Sequence, residues 1–251
     1  MKKRMYLLGI LLSGTLPLAL LLCGALIAIQ QVVLRAVMIA WNAAGDVPLE
    51  TLLERSGTAA LFLVMAVLGM LVVGWSIARR WMGSRSIYAL CSLPLSRKWL
   101  YSCWLISGLV VLLLLACAQY GSMWLASAQY SGWENRLKET AGYEVNALFL
   151  AFIRWDFLRP FLPFTLFEAL LSLAYLLAPP ALTIWITLSI FSKRLPAALG
   201  GSGLWMLFAM IASSSLHNEG LFAWFSLCCA LLVAGTAIGQ GYRLTREGDM
   251  L

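Results

Sequence analysis

The sequence predicts an all-α fold: a polytopic membrane protein of six transmembrane helices with both termini in the cytoplasm. Three observations predict it. Apolar residues fill 62% of the 251 positions and charged residues only 12%, about half the charge of a soluble domain. The apolar residues fall into six runs of near-spanning length. Lys and Arg cluster at the ends of alternate runs.

A helix needs about 20 apolar residues to cross the hydrocarbon. The runs 6–29, 58–78, 100–126, 164–191, 199–216 and 221–238 meet or approach that length. The first follows Met1-Lys2-Lys3-Arg4. It is longer than a signal-peptide core and has no Ala-x-Ala near its end, so it reads as a retained span. The fifth run is the shortest. The whole chain reads as one transmembrane domain, with external loops at 30–57 and 127–163 and a cytoplasmic loop at 79–98.

Orientation follows from the basic residues. One side carries twelve of the 18 Lys and Arg (Lys2, Lys3, Arg4, Arg79, Arg80, Arg85, Arg97, Lys98, Lys193, Arg194, Arg243 and Arg246) with two acids, a net +10. The other carries six basic residues and nine acids, a net −3. Loops this short obey the positive-inside rule, so the basic side is cytoplasmic, and an even number of spans follows. The localisation expected is a bacterial-type cytoplasmic membrane. The overall charge of +7 does not indicate a nucleic-acid partner, because the basic residues sit at span ends and no nucleic-acid module is present.

Several function classes are excluded or weakened. Of the six cysteines, Cys91 lies in the basic loop and the rest in apolar runs, which argues against a disulfide framework. The lone His217 leaves no zinc-type ligand set. No Walker, His-Glu-x-x-His or Gly-x-Ser-x-Gly motif occurs. The chain is therefore not expected to be an enzyme or to hold a metal or cofactor. An ATP-driven process would need a partner to bind the nucleotide.

Four features stand out as candidate sites. Within 79–98, helical spacing puts Ser84, Arg85, Tyr88 and Ser92 on one face and Gly83, Ile87, Leu90 and Cys91 on the other. Leu93-Pro94 ends this helix, and Ser96 is placed to cap the next. Pro179-Pro180 lies near the middle of the fourth run and reads as a hinge or as a static kink. Glu168 is the one ionisable residue that falls inside a run, about one turn from its external end. It is either a functional intramembrane carboxylate or one that reaches interfacial water. Gly235-x-x-x-Gly239 in the last run suits close helix packing, within the bundle or against another subunit.

The second external loop mixes Phe149, Phe152, Trp155, Phe157 and Phe161 with Arg154, Asp156 and Arg159. That pattern predicts an interfacial helix over about 144–158, either a lid or a plain anchor.

The basic amphipathic stretch followed by Ser92-Leu93-Pro94-Leu95-Ser96-Arg97, just before a span, resembles the first cytoplasmic loop of ABC transporter permeases of the type-2 export class. The resemblance extends in outline to six spans with both termini inside. The chain departs from many members in lacking room for an amphipathic elbow helix before the first span. The resemblance implies that Arg85, Tyr88, Ser92, Leu93 and Pro94 form a coupling helix against a separate ABC ATPase subunit. ATP and Mg²⁺ would reside on that subunit, and a second permease chain, identical or related, would complete the path for peptide, antibiotic, lipid or ion. Two other readings stay open: a membrane-anchored scaffold or sensor subunit without transport, and an intramembrane enzyme using Glu168.

Overall fold

The structure is a computed structural model and describes residues 2–40, 48–82, 97–137, 149, 154, 165–192, 194–215 and 221–246. Among the described residues there are seven helices and no strand: α1 (Lys2–Ala40), α2 (Leu49–Arg55), α3 (Thr58–Met82), α4 (Arg97–Leu137), α5 (Leu166–Phe191), α6 (Leu195–Ser215) and α7 (Leu221–Arg246). Four stretches of these helices are long and apolar enough to cross a bilayer: Leu8–Ala40, Thr58–Arg80, Trp99–Ser131 and Ser172–Phe191. α6 and α7 cover the fifth and sixth expected spans.

The long helices alternate in direction, and cross-helix contacts fix the alternation. Arg80 at the end of α3 reaches Ile10 at the start of α1. Thr15 meets Ser107, and Gln30 meets Gln119, so α1 and α4 run parallel. Gly74 of α3 faces Thr187 near the end of α5, and Gly201 near the start of α6 faces Ile186 of α5. Gly241 near the end of α7 lies against Tyr101 near the start of α4. The start of α1 and the end of α7 therefore lie at one end of the bundle. The α3 end carrying Arg79 and Arg80, the α4 start at Arg97 and the α6 start after Arg194 lie there too.

α1 and α4 form the most extensive helix pair, and α5 packs on α3, α4, α6 and α7. The core consists of such side chains as Leu26, Leu115, Leu182, Ile184 and Leu188, all fully buried. The outside is apolar as well as the core, and polar side chains are found within the core. Thr15, Gln30, Ser107, Gln119, Ser122 and Ser189 are buried, whereas Leu21, Val64, Leu71, Leu173, Leu199 and Leu232 are each at least half exposed. Apolar side chains covering the outside of four long apolar helices fit a lipid surround and a multi-pass membrane protein.

Two helices are longer than expected. The first expected span ends at residue 29, whereas helix α1 runs on to Ala40. The third was expected to end at 126, but α4 continues to Leu137. The reason is polar pairing. Gln30 and Gln31, which read as the end of a span, are matched by Gln119, Ser122 and Gln129 across the α1–α4 interface. Both helices stay intact because each supplies the other with hydrogen-bond partners.

At 39 and 41 residues, the two helices measure about 58 and 62 Å. A tilt of about 40°, the upper end of the usual range, leaves each well beyond a hydrocarbon layer of about 30 Å. Both therefore continue past the apolar layer.

The short helix α2 closes this end of the pair. Pro48 stands at its N-cap position with ψ of 151°, an extended conformation that a proline adopts without strain. Leu49, Leu52 and Leu53 are buried against α1 and α3. Gly57, with φ of +66°, turns the chain from α2 into α3. A left-handed residue just past a helix end favours glycine because it has no Cβ. Glu50 pairs with Arg154 at 3.2 Å. Phe149 and Arg154 are both helical; the rest of the interfacial helix expected over 144–158 lies outside the described residues.

Candidate functional site

The expected coupling residues Arg85, Tyr88, Ser92, Leu93 and Pro94 lie outside the described residues. The ends that flank them do not. α3 stops at Met82 and α4 starts at Arg97, both at the end of the bundle where the basic residues gather. There the Arg80 Nη2 donates to the Ile10 carbonyl at 2.7 Å, which ties the end of α3 to α1. Glu168 is helical, in the first turn of α5.

The proline pair lies inside α5, which continues through it. Neither proline has an N–H, so the carbonyls one turn earlier lose their usual donors. One turn later, the Thr183 hydroxyl donates to the Pro179 carbonyl at 2.8 Å, and the Thr187 hydroxyl to the Thr183 carbonyl at 2.7 Å. Such back-bonding is a known companion of bent helices. Pro180 is buried, among the fully buried small residues Ala174, Ala178 and Ala181.

Across from the pair is Gly108 of α4. A Cβ built on Gly108 would stand 2.6 Å from Pro180 Cβ and 3.6 Å from Pro180 Cα. The glycine lets α4 close onto the proline ring, so the break in α5 is also the point where α5 bears on α4. Close approach is repeated at Gly241, whose Cβ would stand 2.6 Å from the Tyr101 ring.

Gly235 and Gly239 behave differently. Both are exposed, and a Cβ on either meets nothing within 4 Å among the described residues. Among the described residues, then, no neighbour packs directly on either glycine, and the choice between packing within the bundle and against another subunit stays with the sequence pattern. The glycines that do bring helices together have partners on distant helices, and their spacing along the chain gave no signal.

A second constellation was missed in the sequence. Polar side chains form a seam up the α1–α4 interface. Thr15 and Ser107 share a hydrogen bond of 3.3 Å, and Gln30 Nε2 donates to Gln119 Oε1 at 2.6 Å. Gln31 Nε2 donates to the Ser122 carbonyl at 2.8 Å and to its hydroxyl at 3.0 Å. Gln129 Nε2 donates back to Gln31 Oε1 at 2.8 Å, and Arg35 Nε reaches Gln129 Oε1 at 3.4 Å. The visible signal was that Gln30 and Gln31 face Gln119 and Ser122 once two parallel helices are set in register.

Among the described residues no group of three or more His, Cys, Asp or Glu side chains could hold a metal ion, and the described cysteines Cys23, Cys103, Cys117, Cys228 and Cys229 are free thiols. No protein-family model, curated protein or solved structure matches this chain.

Proposed function

We propose that the chain is the membrane-spanning subunit of an ATP-driven exporter of the type-2 ABC class. In this reading α1, α3, α4, α5, α6 and α7 are six spans, and both termini face the cytoplasm of a bacterial-type cell. The observation that carries the reading is the end of the bundle that gathers Arg79, Arg80, Arg97, Arg194 and Arg243. Cytoplasmic loops concentrate such residues. The segment between Met82 and Arg97, whose sequence resembles a coupling helix, leaves and re-enters the bundle at that same end.

A separate ATPase subunit docks there and carries the ATP and Mg²⁺. A second permease chain completes the path. Ile87, Leu90 and Cys91 hold the coupling segment against the membrane, and Arg85, Tyr88 and Ser92 meet the ATPase. Leu93-Pro94 sets the angle into α4, so a push on the segment is delivered to α4 and, through Gly108 and Pro180, to α5.

The test is the double variant Arg85→Glu/Tyr88→Ala. A reversed charge at an interface costs up to several kcal/mol. Co-purification of the ATPase should be lost, or its hydrolysis should no longer respond to the permease. Membrane insertion should persist, because the other basic residues of the loop remain. A variant that binds and stimulates the ATPase like the native chain reduces the loop to a topological anchor and removes the main support for the exporter reading.

A further inference from the structure

The polar seam borders a small cavity where α1, α2, α3 and α4 meet. Gln30, Gln31, Leu53, Thr58, Ser122 and Met123 line it. All of these but Gln31 are buried, with Met123 only 1% and Ser122 only 2% exposed. About 10 Å³ is open to the centre of a water-sized sphere. One water needs roughly 10–15 Å³ on that measure, so the cavity admits a single water and nothing larger.

The hydrogen-bond inventory shows why water belongs there. Gln30 and Gln119 are 5% and 2% exposed. Their one mutual bond leaves Gln30 Oε1 and Gln119 Nε2 buried without a partner. Turning both amides over exchanges nitrogen for oxygen but still leaves one polar atom of each glutamine over. Buried polar atoms in native proteins are almost always satisfied, by protein or by ordered water. Around the cavity, Ser122 Oγ accepts from Gln31 and keeps its own hydrogen, and Thr58 Oγ1 shares a hydrogen bond with Ser56. These groups supply the two to four polar partners that an internal water requires. No carboxylate lines the cavity, which disfavours a metal cation.

We propose that the cavity is a hydration site holding one ordered water. Ser56 Oγ gives its hydrogen to the Leu53 carbonyl, so Thr58 donates to Ser56 and keeps a lone pair; the water donates to Gln30 Oε1 and Thr58 Oγ1 and accepts from the hydroxyl of Ser122. It thereby joins α1, α3 and α4 at a single point and satisfies the spare oxygen of Gln30. The proposal is independent of the exporter reading.

Radiolytic footprinting of the full chain in detergent micelles tests it, using X-ray pulses to make hydroxyl radicals from water. Radicals formed from a trapped water oxidise the side chain beside it, and methionine sulfur is readily oxidised. Met123 lines the cavity, whereas Met70 is just as buried, at 2% exposure, and lies away from it. The native chain should give Met123 sulfoxide several-fold faster than Met70 sulfoxide. Gln30→Leu removes the unpartnered group and should bring Met123 down to the Met70 rate. Where Gln30→Leu does not fold, Ser122→Ala, which removes one hydroxyl at little change in volume, takes its place with the same expectation. Equal slow oxidation of Met123 and Met70 in the native chain overturns the proposal. So does fast Met123 oxidation that survives in the folded variant, because bulk water would then be the source.

Discussion

Gly108→Ala isolates the contact between α4 and the proline pair. The new methyl would stand 2.6 Å from Pro180 Cβ, where carbon atoms prefer about 3.5–4.0 Å. The overlap is therefore about 1 Å. A long side chain would rotate away, but Pro180 Cβ belongs to a ring fused to the backbone of a buried helix, so the strain passes to the helices themselves. Overpacking of this kind costs about 1–3 kcal/mol. The assay is reversible unfolding of the purified chain in mixed micelles, followed by tryptophan fluorescence. Pro180→Gly removes the opposing carbon, and the double variant Gly108→Ala/Pro180→Gly should recover most of the Gly108→Ala loss. The expected coupling is about 1–2 kcal/mol, within the usual range for touching residues. A Gly108→Ala stability within about 0.5 kcal/mol of native, the scale of a neutral surface change, would refute the reasoning. Simple additivity of the two single variants would do so as well.

Two further predictions concern the proposed function. Reporter fusions after Leu251 and within 85–97 should read cytoplasmic, and fusions near Pro48, Glu139 and Asn218 external; an external C-terminus rules out six spans with both ends inside. Replacing Pro179 and Pro180 together with Ala keeps a Cβ opposite Gly108 while restoring the backbone donors. Insertion and stability should hold or improve, and ATP hydrolysis coupled to the reconstituted permease should slow. Unchanged coupled hydrolysis identifies the pair as a fixed bend.

The helices were legible in the sequence because apolar runs and basic ends are local signals. The expected fourth span, 164–191, differs from α5 by two residues. What the sequence hid was pairwise. Gln30-Gln31 looked like the polar end of a helix because their partners, Gln119, Ser122 and Gln129, lie about 90 residues further on. The same holds for Gly108 and Pro180, which meet across two helices. Gly235 and Gly239 have the right spacing for close packing, and what approaches them does not lie among the described residues. The coupling segment rests on its amphipathic pattern and its resemblance, since it lies outside the described residues.

The long α1–α4 pair has a mechanical consequence. Two rods that slide freely each bend on their own, whereas rods fastened side by side resist bending together. The rungs fasten these two at one point near the start, Thr15–Ser107, and again over the stretch from Gln30–Gln119 to Arg35–Gln129. Sliding one helix past the other by a single turn would break every rung at once. The pair is thus built to swing or twist as one beam, and a displacement applied near Arg97 arrives beyond Gln129 as a rotation of both helices.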